Sequence, residues 1–108
     1  MTTDRELLEA AAKAAGYEID VTHLPEASGA WWIQLVQERR RVWNPLIDDG
    51  DALRLAVTLR MDIAHFESSV RADVSGYDDC HEANGNDPYA ATRRAIVRAA
   101  AELSKQGA

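Results

Sequence analysis

The stretch WNPLIDDGDALRLAV, which spans Trp43 to Val57, decides the fold of this chain. Pro45 fixes one backbone φ angle, and the aspartates and glycine that follow supply a helix start. The stretch therefore predicts a rigid, acidic turn that runs into an amphipathic helix from Asp48 or Asp49 to about Arg60. The residues that we expect this helix to bury are Ala52, Leu55, Ala56 and Leu59, helped by Leu53 and Val57.

Two further helices have clear start signals, one near each end of the chain. Thr3 and Glu6 have the spacing of a capping box and Gly16 suits a left-handed helix end, so the first helix covers about residues 4 to 15. Asp87 is a predicted N-cap, and Pro88 takes the first position of a last helix that runs to about residue 105. The residues that we expect these helices to bury are Leu7, Leu8, Ala11 and Ala15 in the first, and Ile96, Ala99, Ala100 and Leu103 in the last.

Alternating apolar and polar residues predict strands between the helices. The run Tyr17 to Thr22 alternates in this way, and a turn follows at Pro25 to Gly29. Trp31 to Glu38 is then a second predicted strand, and strands so close in sequence usually pair antiparallel.

The second half of the chain has a weaker period of two, between Asp62 and Val74. It predicts either one bent strand or two strands around Ser68-Ser69, and we favour two. Composition predicts that Ser75 to Asn86 is a loop. The whole order predicts a single α+β domain over residues 1–108, in which three helices pack on a small antiparallel sheet of three to four strands in the order α-β-β-α-β-β-α.

Charge limits the class of partner. The chain has 12 Lys and Arg against 18 Asp and Glu, which gives a net charge of −6. Lys and Arg contacts to phosphates supply most nonspecific affinity for nucleic acid, so we expect no direct nucleic-acid binding. An acidic surface that docks on a basic host protein is compatible with the charge, and solubility alone is the alternative.

The compartment is predicted from cysteine usage and hydropathy. Cys80 is the single cysteine, which excludes an intramolecular disulfide and suggests a reducing environment. No apolar run approaches the roughly 18 residues that a membrane span needs. The first residues, Met1 to Glu6, are too polar for a signal peptide. We therefore expect a cytoplasmic protein without a membrane partner.

The segment Asp78 to Glu82 is the one dense cluster of groups that could bind a metal or perform catalysis. Cys80 and His81 are adjacent, however, and no second cysteine or spaced histidine pair completes a zinc site. Neighbours in sequence usually point apart, which disfavours a thiol nucleophile with its base. The aspartates from Asp48 to Asp51 lack the glutamate of a calcium loop, and helix capping explains them better. The sequence predicts no enzyme, catalytic residue, cofactor or metal.

The adjacent pair Trp31 and Trp32 suggests a contact with a partner. On a strand the two rings face opposite sides, so one is exposed if helices cover one face of the sheet. If helices cover both faces, both rings are core residues, and the two cases are equally supported. The predicted partner-binding residues are Trp31, Trp32, Asp48, Asp49, Asp51, Asp78, Asp79 and Glu82.

Two motifs carry a family resemblance. They are WNPLIDDGDALRLAV, residues 43–57, and DPYAATRRAIVRAA, residues 87–100, and the opening helix fits the same pattern. The chain resembles small proteins of bacteriophages and prophages of the ABA-sandwich type, an α/β/α family. The resemblance implies phage origin and layers on both sides of a sheet, and it implies no activity or catalytic residues.

Three functions follow as hypotheses from the charge, the motifs and the resemblance. The leading hypothesis is a phage protein that binds a host protein, as an inhibitor of bacterial defence similar to anti-CRISPR proteins, by occlusion or by mimicry of nucleic acid. The second is a phage accessory or assembly protein that self-associates into a homo-oligomer and has no host target. The third is a small enzyme that uses Cys80 and His81.

Overall fold

The computed structural model describes residues 2–23, 31–75, 77 and 79–106. Within these residues three helices and six strands follow one another. They are α1 (Asp4–Ala15), β1 (Ile19–His23), β2 (Trp31–Leu35), β3 (Arg41–Val42), α2 (Asp49–Thr58), β4 (Asp62–His65), β5 (Ser69–Asp73), β6 (Cys80–Ala83) and α3 (Pro88–Gln106). The predicted turn at Pro25 to Gly29 lies outside the described residues.

The strands form two antiparallel sheets of three strands each, in the orders β1-β2-β3 and β4-β5-β6. In the first sheet Ile19 lies opposite Leu35, and in the second Ile63 lies opposite Ala72. A helix followed by a three-stranded meander therefore occurs twice before α3. The α+β class is confirmed, and so is the division of residues 62–74 into two strands, but the sheet of three to four strands is in fact two sheets.

The helix ends follow the local sequence signals. Thr3 and Glu6 form the full capping box, since the Glu6 amide donates to the Thr3 hydroxyl at 3.1 Å and the Thr3 amide donates to the Glu6 carboxylate at 3.0 Å. Gly16 ends α1 with a φ of 76°. The Asp87 carboxylate accepts from the amide of Ala90 at 3.1 Å and so caps α3. Both predicted starts are confirmed.

One apolar core joins the two sheets and the three helices. Because α3 buries mainly alanines, α1 can pack closely along it. The larger side chains fill the space around this alanine contact, and Trp43 meets Tyr17 edge to face with ring centroids 5.7 Å apart. The largest fully buried side chains are Leu8, Ile33, Trp43, Pro45, Leu55, Val70 and Val97.

The face of α2 differs from the predicted one. Ala52, Leu55 and Ala56 are buried, as expected, but Leu53 and Val57 are 61% and 67% exposed. A helix turns about 100° per residue, so positions 53 and 57 form a second row beside the buried stripe. The prediction that they help to fill the core is wrong.

The predicted loop from Ser75 to Asn86 contains a strand, β6. Cys80 lies opposite Ala72, and Glu82 lies opposite Val70. Only Cys80 of this strand is fully buried, so the local pattern is too short to be recognised. The predicted strand from Trp31 to Glu38 is also shorter, because it ends at Leu35 and a 3-10 turn follows before the two-residue strand β3.

Candidate protein-binding surface

Asp51 is the centre of a buried polar network at the start of α2. It is 3% exposed, and its own amide donates to the carboxylate of the N-cap residue Asp48 at 2.8 Å. Its Oδ1 accepts from the guanidinium groups of Arg41 at 2.7 Å and Arg54 at 2.8 Å, and its Oδ2 accepts from the Asn44 amide at 2.9 Å. These bonds join β3, the proline turn and α2.

The charge of Asp51 is stabilised inside the protein. Burial on its own raises the pKa of this carboxyl, but the hydrogen bonds from Arg41, Asn44 and Arg54 outweigh that effect, so the pKa lies below its ordinary value. The carboxylate is saturated by intramolecular donors. Of the three neighbouring aspartates in the predicted partner surface, Asp51 is therefore a structural residue that a partner does not reach.

Beside this network lies a cleft of about 330 Å³ that Tyr17 and Trp43 line together with Arg41 and Arg54. Its guanidinium groups are already engaged, since Arg41 donates to Glu38 at 2.6 Å as well as to Asp51. The hydrogen bonds from Asp51 and Glu38 raise the pKa of Arg41. The cleft thus offers no unpaired charge to an ionic ligand.

Asp48 and Asp49 remain at the surface. The side chain of Asp49 is 67% exposed, and it accepts from Arg93 of α3 at 2.6 Å. The same guanidinium group donates to the carbonyl of Leu46 at 2.9 Å, so it ties the turn to α3. Asp48 faces Arg54 at 3.9 Å. Surface pairs of this kind are weak, and both carboxylates remain available to a cation on a partner.

The acidic residues of β6 form a separate group. Glu82 is paired with Arg98 of α3, and this hydrogen bond raises the pKa of Arg98. Asp79 lies 3.4 Å from the ring of His81. Asp78 lies outside the described residues. Arg93 of α3 binds Asp49, and Arg98 of α3 binds Glu82. These two arginines are five positions apart, so their side chains leave the helix in directions roughly 140° apart. Among the described acidic residues, those before α2 and those of β6 therefore lie on different sides of α3.

The two tryptophans are both half-buried. Trp31 packs against the core, and Trp32 points to the opposite face of β2, where it lies beside Thr22 of β1. Their rings therefore point to opposite sides, as expected, but neither is a fully exposed anchor.

More exposed apolar side chains lie elsewhere: Ile47 in the turn before α2 is 75% exposed, and Leu53 and Tyr89 line a groove between α2, α3 and β4, with Val57 next to Leu53 on α2. Leu53, Val57 and Tyr89 are 61%, 67% and 70% exposed. The groove has a volume of about 350 Å³, and it is lined by Asp49, Ala52, Leu53, Ile63, His65, Tyr89, Thr92, Arg93 and Ile96. We call it the α2–α3 groove. The signal of this groove in the sequence is the row formed by Leu53 and Val57 beside the main apolar stripe of α2, which predicted core residues instead.

Cys80 and His81 point to opposite sides of β6. Cys80 is buried and His81 is exposed. Burial raises the pKa of the Cys80 thiol, which keeps it protonated at neutral pH and poorly nucleophilic. Among the described residues no three His, Cys, Asp or Glu side chains converge as metal ligands. No helix in the described part of the chain is long and apolar enough to cross a membrane.

These features describe an α+β protein with an exposed apolar groove beside a pair of surface carboxylates. Comparisons of the chain with protein-family models, with curated proteins and with solved structures each return no match.

Proposed function

We propose that this protein acts by binding another protein and not by catalysis. The observation that carries the proposal is the α2–α3 groove, where Leu53 and Tyr89 are exposed beside the carboxylate of Asp49. An apolar centre with an aromatic residue and a polar rim is the usual anatomy of a protein interface. A group of neighbouring exposed apolar residues on a small domain is a common mark of a protein–protein contact.

The partner that we propose is a host protein with a basic surface, and the role is that of a phage-encoded inhibitor of bacterial defence in the cytoplasm. The net charge of −6 and the exposed carboxylates of Asp48 and Asp49 support a basic partner. The separation of these residues from Asp79 and Glu82 favours occlusion of the partner over mimicry of a nucleic-acid backbone, which needs a continuous row of charge.

The test is capture of host proteins from a bacterial lysate by the tagged chain, at low and at high salt. The double variant Asp48→Asn/Asp49→Asn removes two charges and retains an N-cap, since asparagine caps helices well. Its matched control, Asp62→Asn/Asp79→Asn, removes the same charge from β4 and from the residue before β6. We expect the first variant and Tyr89→Ala to lose the partner and the control to retain it. Equal loss in both double variants would show that binding follows net charge and not this surface.

Self-association is the second candidate function, and a specific observation favours it. The α2–α3 groove adjoins β4, an edge strand of the second sheet. A phage accessory or assembly protein that binds its own copies would cover both features without a host target. Light scattering of the purified chain tests this role, because a mass that stays at 11.9 kDa over all concentrations excludes it.

A further inference from the structure

The outer edge of β4 has unpaired backbone groups. Phe66 donates its amide to the Ser69 carbonyl at 2.8 Å, which closes the hairpin between β4 and β5. Bonded and non-bonded pairs alternate along an antiparallel ladder, so the bonded pair after it is Ala64 with Arg71. Ile63 and His65 consequently direct their N–H and C=O groups away from β5. Among the described residues none forms a hydrogen bond with these outward groups.

This edge has one of the usual protections against pairing, the exposed charge of Asp62 at its start, and no proline. Natural edge strands are guarded by charges, prolines, bulges or a covering element. The outward residues of β4 are an isoleucine and a histidine, and both side chains line the α2–α3 groove. The open edge and the exposed apolar row of α2 therefore adjoin, and one partner can cover both.

We propose that the partner is a second copy of this chain, which pairs antiparallel along β4 about a two-fold axis at Ala64. Ile63 of each copy then lies opposite His65 of the other. Each such pair exchanges both of its hydrogen bonds, so this register satisfies all the outward groups of Ile63 and His65. The two second sheets become one sheet of six strands. An isologous contact of this kind is the commonest arrangement of homodimers.

Charge complementarity supports the same register. In this register the start of β4 in one copy lies beside the end of β4 in the other, so Arg60, which precedes the strand, comes near Glu67, which follows it, twice by symmetry. Arg60 and Glu67 are both exposed, and neither forms an ion pair with a described residue. A strand from an unrelated protein has no reason to carry this reciprocal pair of charges.

Sedimentation equilibrium of the full chain tests the dimer. We expect the mass to rise with concentration toward twice 11.9 kDa. The variant His65→Pro removes a backbone N–H group that points away from β5 and takes no part in the β4–β5 pairing. Edge strands tolerate a proline at such a position. This variant should raise the dimer dissociation constant by about tenfold or more. The matched control, His65→Ala, keeps the N–H and should dimerise like the original chain.

Charge exchange gives a second test that does not depend on a proline. Arg60→Glu and Glu67→Arg should each weaken the dimer, because like charges then meet, and the double variant should restore it. A chain that stays monomeric up to about 1 mM, the upper range of weak dimers, overturns the proposal. A folded His65→Pro variant that still dimerises also overturns it. If that variant does not fold, a double variant Arg60→Glu/Glu67→Arg that fails to restore the dimer overturns it instead.

The inference deepens the second candidate function, since it names the surface and the partner of self-association. Its outcome is distinct from that of the host-binding proposal. The sedimentation sample holds only the pure protein, whereas capture from a lysate is tested by substitutions of Asp48, Asp49 and Tyr89, none of which belongs to the β4 edge. Either proposal can therefore fail while the other stands.

Discussion

Replacing Asp51 by alanine should remove a large part of the free energy of unfolding of this small domain. The substitution removes the acceptor of the Arg41 and Arg54 guanidinium groups and of the Asn44 amide. Removing one partner of a fully buried ion pair costs about 3–5 kcal/mol. Both arginines are partly in water here, where they regain hydration. We therefore expect Asp51→Ala to lower the free energy of unfolding by about 2–4 kcal/mol, against a usual total of about 5–15 kcal/mol.

The assay is urea unfolding followed by tryptophan fluorescence, since Trp43 is buried beside this network and reports its loss. Two neighbours serve as controls. Asp48→Ala removes the N-cap and should cost about 1 kcal/mol, and Asp49→Ala removes an ion pair whose carboxylate is 67% exposed and should cost about 1 kcal/mol or less. An Asp51→Ala loss no larger than that of Asp49→Ala, at an unchanged denaturant slope, would refute the assignment of Asp51 as the central residue of this network.

Three further predictions concern single residues. The pKa of Asp51 is depressed in the folded state, so its contribution to stability is present above the ordinary carboxyl pKa of about 3.9 and disappears as the pH falls through the lower folded pKa. In acid titrations followed by circular dichroism, Asp51→Asn should therefore lose stability near neutral pH and show a smaller loss on acidification than the original chain. Gly16 has a φ of 76° with free space around it, so Gly16→Ala should cost about 1 kcal/mol of backbone strain and lower the melting temperature. Cys80 is buried with a raised pKa, so a thiol reagent should label it slowly in the native protein and rapidly in urea; equal rates would contradict the structure.

The parts of the fold that sequence could predict are those whose cause is local. Thr3 and Glu6 interact across one helical turn, and the Asp87 cap acts within three residues, so both helix starts were predictable. The strand β6 depends instead on pairing with β5, and its own sequence has one buried residue, Cys80. A strand that is stabilised mainly by pairing with another strand has no clear pattern in its own sequence.

The candidate site shows the same division. The acidic cluster before α2 was visible in the sequence, and so was its capping role. The sequence could not show which of these aspartates is buried, because this depends on Arg41 of β3, which donates a hydrogen bond to Asp51. The exposure of Leu53 and Val57 also needed the structure, because apolar residues on two adjacent rows of a helix do not reveal which row the core takes up.

The two proposed interactions should respond differently to salt, and this difference separates them. Binding through Asp48 and Asp49 acts between exposed charges, which are screened over about 8 Å at physiological ionic strength. Pairing along β4 rests on backbone hydrogen bonds and apolar contact, and its ion pair between Arg60 and Glu67 is a rim contribution worth about 1 kcal/mol or less. Raising the salt concentration should therefore release a captured host protein while it leaves the dimer largely intact. If the dimer dissociates at the salt concentration that releases the host protein, then charge and not the β4 edge holds the two copies together.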